Sequence, residues 1–174
     1  MIFTTILLGQ TADLSKVIKG VFMMEKPILA DYQLEINQIR NQFGFDFVAL
    51  NIVNTIDYSP ILKWQFASGN LNNRYQRMVL HPGKGIAGTV FKTGKPMLVK
   101  NIHQEIPMNE LHCYPIIVAE GLKSLGAVPL WENYRVAGVL LVGFRIEDSL
   151  TDRLFDEFQQ SIASGFCSFN TKEM

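Results

Sequence analysis

Apolar positions along the chain follow two periods, and the switches between them outline the elements. From Asp31 to Phe43 they recur at helical spacing, with Tyr32, Ile36, Ile39 and Phe43 on one stripe. Asp31 is the expected N-cap and Gly44 the expected stop. Phe45–Val53 is apolar on nearly both faces, which predicts a central strand. Asp57-Tyr58-Ser59-Pro60 forms a turn cluster, and Ile61–Ala67 then reads as a second strand. Its alternation sets Ile61, Lys63, Gln65 and Ala67 on one face, and Leu62, Trp64 and Phe66 on the other. Asn70–Leu80 reads as a short helix or turn, Met97–Val99 as a short strand, and the stretch through His112 as irregular. Tyr114–Glu120 reads as a loop entering a helix. Lys123–Trp131 and Tyr134–Arg145 form a hairpin about Glu132-Asn133. Leu150, Leu154, Phe158, Ile162 and Phe166 then recur every four residues, an amphipathic helix capped by Ser149 or Thr151. This order predicts an α+β fold, a largely antiparallel central sheet with helices packed on one face.

Composition narrows the class. A chain of 174 residues that is 48% apolar and 18% charged can bury a sizeable core as a single domain. Lysine plus arginine and aspartate plus glutamate each number 16, with no basic run, which argues against nucleic acid as a partner. Two cysteines, Cys113 and Cys167, give no disulfide framework and fit a reducing cytoplasm. Met1–Leu8 is apolar but too short to span a bilayer, so no membrane partner is expected. Residues 1–20 read as an N-terminal extension of uncertain origin on a single domain at 21–174, with Met23-Met24 as an alternative start.

Candidate chemistry centres on Gly83-Lys84-Gly85-Ile86-Ala87-Gly88-Thr89-Val90-Phe91. Glycines permit a tight turn, and the Ile86/Val90 spacing then starts a helix. Such a junction points unpaired backbone N–H groups outward, with the positive end of the helix dipole behind them. A small anion is the natural guest, and an ordinary water-capped helix start is the plain alternative.

The element order, this glycine junction, Thr93-Gly94-Lys95-Pro96, and the paired Ser124–Leu130 and Val136–Leu140 segments together resemble a GAF domain over roughly residues 28–169. Such a fold implies a ligand pocket between the sheet and the crossover helix and loops, here within residues 64–118. Within the family the chain is similar to the single-domain bacterial nitrate receptors of the Nre nitrate/oxygen two-component systems. The resemblance implies nitrate as ligand, held by the backbone amides of Ile86, Ala87 and Ile116 and the Trp64 indole, with Tyr114 and Pro115 in the same loop. Nitrate is planar and weakly hydrated, so a dry cavity with several N–H donors and no carboxylate suits it. The resemblance further implies a cytoplasmic sensor histidine kinase as partner, restrained when the pocket is empty. The 31–43 helix and the terminal helix, its stripe widened by Phe155, Phe166 and Phe169, are the expected contact surface. Self-association through that surface is equally compatible. Ligand binding is expected to order residues 100–118, a population shift without covalent chemistry.

Rival readings are weaker. GAF enzymes that reduce free methionine-(R)-sulfoxide carry cysteine where this chain has Ala87, with further cysteines in the following loop; here Cys113 stands alone there. Cys113 beside His112 invites bilin attachment, but the supporting Asp-Ile-Pro and arginine features are not evident. His81, His103 and His112 lack metal-ligand spacing, so no metal or cofactor is expected. The Asn-Lys-x-Phe…Asp-Glu signature of cyclic-nucleotide GAF domains is absent; a GAF module for another small ligand, or an unliganded scaffold, is the remaining alternative.

Overall fold

The computed structural model describes residues 29–167 and residue 169; the expectations about residues 1–20 and the Met23-Met24 start lie outside the described residues. Helix α1 (Leu29–Phe43) is followed by strands β1 (Phe47–Ile56) and β2 (Ser59–Ser68). A 3-10 turn at Arg74–Arg77 and the two-residue β3 (Val79–Leu80) lead into helix α2 (Gly85–Thr93). Then come β4 (Met97–Val99), the short α3 (Ile102–Glu105), a 3-10 turn at Met108–Cys113 and α4 (Pro115–Glu120). The hairpin β5 (Ser124–Glu132) and β6 (Arg135–Phe144) and helix α5 (Asp152–Ser161) complete the described part.

The strands form a six-stranded sheet in the order β3-β2-β1-β6-β5-β4, every neighbouring pair antiparallel. β1 is interior, as its two-sided apolar pattern requires. Alternation sends Val48 and Leu50 to one face and Phe47 and Ala49 to the other. The first face packs on α1 and α5 through Ile36, Ile39, Phe155 and Phe158. The second is covered by the crossover, chiefly α2 and α4, through Ile86, Val90, Ile116 and Ile117.

Element edges differ from the sequence pattern in instructive ways. α1 begins at Leu29, so Asp31 lies in its first turn, where its charge suits the helix dipole, and is not the cap. Gly44 does end the helix, at φ 67°, with the Phe45 N–H bonding the Arg40 carbonyl at 3.1 Å. The first hairpin turns on Asp57-Tyr58 alone, both left-handed (φ 48° and 62°), and Ser59 and Pro60 belong to β2. The second turns on Asn133-Tyr134 (φ 50° and 61°), one residue later than the pattern suggests. Thr151, not Ser149, caps α5, its Oγ1 accepting the Leu154 N–H at 3.2 Å. The stretch between Val99 and Tyr114 is short helical turns, not irregular chain.

Two corrections concern burial. Leu62, Trp64 and Phe66 do not share a face. A register shift between Leu50 and Asn51 pairs Leu50 with Phe66 but Asn51 with Trp64, leaving Gln65 extra on β2. The bulge turns Phe66 toward α1, where its ring lies 5.5 Å from that of Tyr32, while Leu62 and Trp64 stay on the crossover side. Phe155, Phe166 and Phe169 do not widen an exposed stripe either. They are 4%, 0% and 6% exposed, and Phe166 and Phe169 pair beyond the helix, stacking near Tyr32. Aromatic area of this size is worth most inside the core.

Candidate functional site

The glycine junction folds as a tight backbone loop that suits glycine alone at Gly85 and Gly88. Gly85 opens α2 at φ 63°, and a Cβ on Gly88 would lie 2.2 Å from the His81 carbonyl oxygen. That close approach lets the Gly83 N–H bond the Gly88 carbonyl at 2.7 Å, while the Lys84 N–H bonds the His81 carbonyl at 3.0 Å. Lys84, the N-cap residue, offers no side-chain acceptor to the first turn. The opening N–H groups of α2, those of Ile86 and Ala87 among them, have no partner within the helix. Gly94 closes the helix at φ 63°, and the positive end of α2 is its first turn, where Gly85, Ile86, Ala87 and Gly88 are buried.

Trp64, Ile86, Ala87 and Ile116 fall together in one buried cluster on the crossover face, each at most 1% exposed. Tyr114 is half-buried against that cluster, and the half-buried Pro115 opens α4 one residue before Ile116. The loop reaches the junction closely, since the Cys113 carbonyl lies 3.4 Å from where a Cβ on Gly85 would sit. The structure therefore gathers the sequence-predicted residues on one side of the sheet.

Polar groups in this cluster are sparse and unusual. The Trp64 Nε1 is buried with no hydrogen-bond partner. The register sets Asn51 opposite it on β1, between Ala49 and Val53 on the crossover face, and Asn51 is fully buried with neither side-chain atom paired. Buried polar groups are normally paired, so two such neighbours are a local anomaly. Sequence reasoning passed over Asn51; its signal was an asparagine inside an otherwise apolar central strand.

One carboxylate lies nearby and is already engaged. Glu120, at the end of α4, is fully buried; its Oε2 accepts the Leu71 N–H at 2.7 Å and an Arg145 N–H at 3.3 Å. Arg145 also donates to the carbonyls of Glu120 and Gly69, tying α4 to the ends of β2 and β6. Burial raises the Glu120 carboxyl above its ordinary range, opposed by the Leu71 N–H and by Arg145.

Other candidate groups stand apart. Cys113 is exposed on the crossover side, whereas the Cys167 thiol donates to Glu35 on α1, across the sheet. Desolvation and then the Glu35 carboxylate push the Cys167 thiol up, away from the thiolate form. Among the described residues no group of three histidine, cysteine, aspartate or glutamate side chains could hold a metal ion. No described helix is long and apolar enough to cross a membrane. An open cleft between the hairpin tips and the end of α2, lined by Tyr58, Phe91, Trp131 and Tyr134, includes none of Trp64, Ile86, Ala87 and Ile116 in its lining.

No family model and no curated protein matches the chain. Solved structures do. A hypothetical protein from Staphylococcus aureus is 41% identical with a TM-score of 0.63, over 66% of this chain and 93% of that one. The NreA protein of the same organism, mutated in its nitrate binding site, is 35% identical with a TM-score of 0.64, over 78% of this chain and 94% of its own. A free methionine-R-sulfoxide reductase from Neisseria meningitidis, in complex with its substrate, is 19% identical with a TM-score of 0.63 over 91% of both chains, a likeness of fold alone. Sheet order and these identities converge: the chain belongs to the GAF domain family and stands close to NreA within it.

Proposed function

We propose that this protein is a nitrate receptor, binding the anion between the sheet and the first turn of α2. The observation that carries the reading is the buried, unpartnered Trp64 indole N–H in the same cluster as Ile86, Ala87 and Ile116. A donor left unpaired in a dry core costs stability, and an acceptor-only guest removes that cost. Nitrate would accept from Trp64 Nε1 and from the backbone N–H groups of Ile86, Ala87 and Ile116, with Tyr114 and Pro115 holding the loop against it. Likeness to NreA, whose nitrate binding site was the object of mutation, supports the choice of anion.

Catalysis is disfavoured. A thiol relay needs an attacking and a resolving cysteine within reach, and Cys113 and Cys167 face opposite sides of the sheet. The family resemblance supplies the rest of the reading: a cytoplasmic sensor histidine kinase that responds to the filled pocket. With Phe155, Phe166 and Phe169 buried, the partner surface reduces to the outer faces of α1 and α5, where Leu34 is exposed. A second copy of the chain could use the same surface. Nitrate would act by pinning residues 100–118 to the glycine junction.

Calorimetric titration of salt-exchanged protein with nitrate tests this, with chloride as the control and Trp64→Phe as the variant. Binding by wild type and at least about a tenfold loss in the variant are expected. A flat wild-type titration removes the nitrate reading. At a hundredfold excess over Kd, nitrate should stabilise the fold by about 2.7 kcal/mol. Hydrogen exchange across 100–118 should slow with nitrate; unchanged protection removes the switch.

A further inference from the structure

The anomaly at Asn51 is larger than the one at Trp64. Asparagine fits poorly in strands, and an interior strand strongly prefers Val, Ile or Leu. Here the amide is fully buried, yet neither Nδ2 nor Oδ1 meets a partner. The other incompletely satisfied buried side chains are different in kind. Asn101 uses its Nδ2 to bond Asp148 at 3.1 Å, and Glu120 uses its Oε2 twice. Among the described residues, Asn51 and Trp64 are the buried side chains with no polar atom paired at all. They are direct cross-strand neighbours on the crossover face, placed opposite each other by the bulge at Gln65. Without that bulge the register would bring Gln65 opposite Asn51 and turn Trp64 out of line with it.

We propose that Asn51 is a ligand-contacting residue, its Nδ2 donating to the same small oxyanion that Trp64 Nε1 holds. This deepens the nitrate reading above and rests on it. The pocket then has two unlike walls. The sheet wall offers side-chain donors, from Asn51 and Trp64; the crossover wall offers backbone donors, from the first turn of α2 and the start of α4. A planar oxyanion has acceptor oxygens on every edge, so it can bridge both walls, whereas a spherical halide lacks directional edges. Asn51 therefore contributes to selection for an oxyanion as well as to affinity.

The test titrates nitrate and chloride into wild type, Asn51→Leu, Asn51→Ala and Trp64→Phe, and records melting temperature without added anion. Leucine nearly conserves volume, and alanine carries the test if leucine overpacks the site. The expected result is a 10- to 100-fold weaker nitrate Kd in the Asn51 variants, a smaller change for chloride, and an unliganded Asn51→Leu protein melting no lower than wild type. Wild-type affinity for nitrate in the Asn51 variants, with affinity lost in Trp64→Phe, overturns the assignment of Asn51 and leaves the receptor reading standing. A wild-type protein that binds no nitrate overturns both.

Discussion

The two faces of the sheet are built on different terms. Against α1 and α5 the core is aromatic and free of unpaired side-chain polar atoms among the described residues: Phe158 meets Phe43 and Phe45 edge-on at 5.9 and 5.7 Å, and Phe45 meets Phe144 at 5.3 Å. Against the crossover the core is mostly aliphatic, its covering helices are short, and it holds the unpaired Asn51 and Trp64. Edge-to-face aromatic packing gives one face cooperative stability. The other retains desolvated polar groups that nothing in the protein pairs, and on the reading proposed above a guest would complete them. On that reading stability and recognition are segregated by the sheet, so the proposed binding face can lack satisfied contacts without unfolding the domain.

The largest test of that division is Phe158→Ala. It should cost about 3–5 kcal/mol in denaturant unfolding, yet leave the nitrate Kd of the folded protein unchanged. A shifted Kd would show that the faces are coupled. Next is Arg145→Met, which strands the buried Glu120 carboxylate at the join between α4 and the sheet. Removing one partner of such a pair costs about 3 kcal/mol or more, and here the loss should also weaken nitrate binding, because α4 carries Ile116. Thr151→Ala removes the α5 cap at about 1 kcal/mol, with no effect on nitrate, readable by thermal melting.

Glu120→Gln sharpens the comparison through pH. Burial raises the Glu120 carboxyl in the folded protein, so the folded state holds this proton more tightly than the unfolded chain. Its contribution to stability is full below the ordinary glutamate range and is lost as pH rises through the raised folded value. The glutamine variant should flatten that fall in unfolding free energy as pH rises above the ordinary glutamate range. An unaltered slope would show that another group carries it.

Much of the fold was legible because it rests on local periods. The Tyr32/Ile36/Ile39 stripe, the Gly44 stop, the apolar β1 and the glycine junction each follow from residue type and spacing. Hairpin tips were displaced because turn type depends on the register of the flanking strands: the left-handed pairs Asp57-Tyr58 and Asn133-Tyr134 are fixed by pairing, with no Asn-Gly marker to reveal them. The stripe Leu150 to Phe166 outran its helix because apolar spacing records what is buried, not which element buries it. Trp64 and the glycine junction stood out in the candidate site, whereas Asn51 did not.

Taken alone, the sequence determined the α+β order, the glycine-led start of α2 and the family, since each is written in contiguous residues. Tertiary structure decided which side of the sheet each strand residue serves. One extra residue, Gln65, separates Trp64 from Phe66 and brings Trp64 opposite Asn51. A bulge is a property of two strands paired, so neither strand's own pattern encodes it.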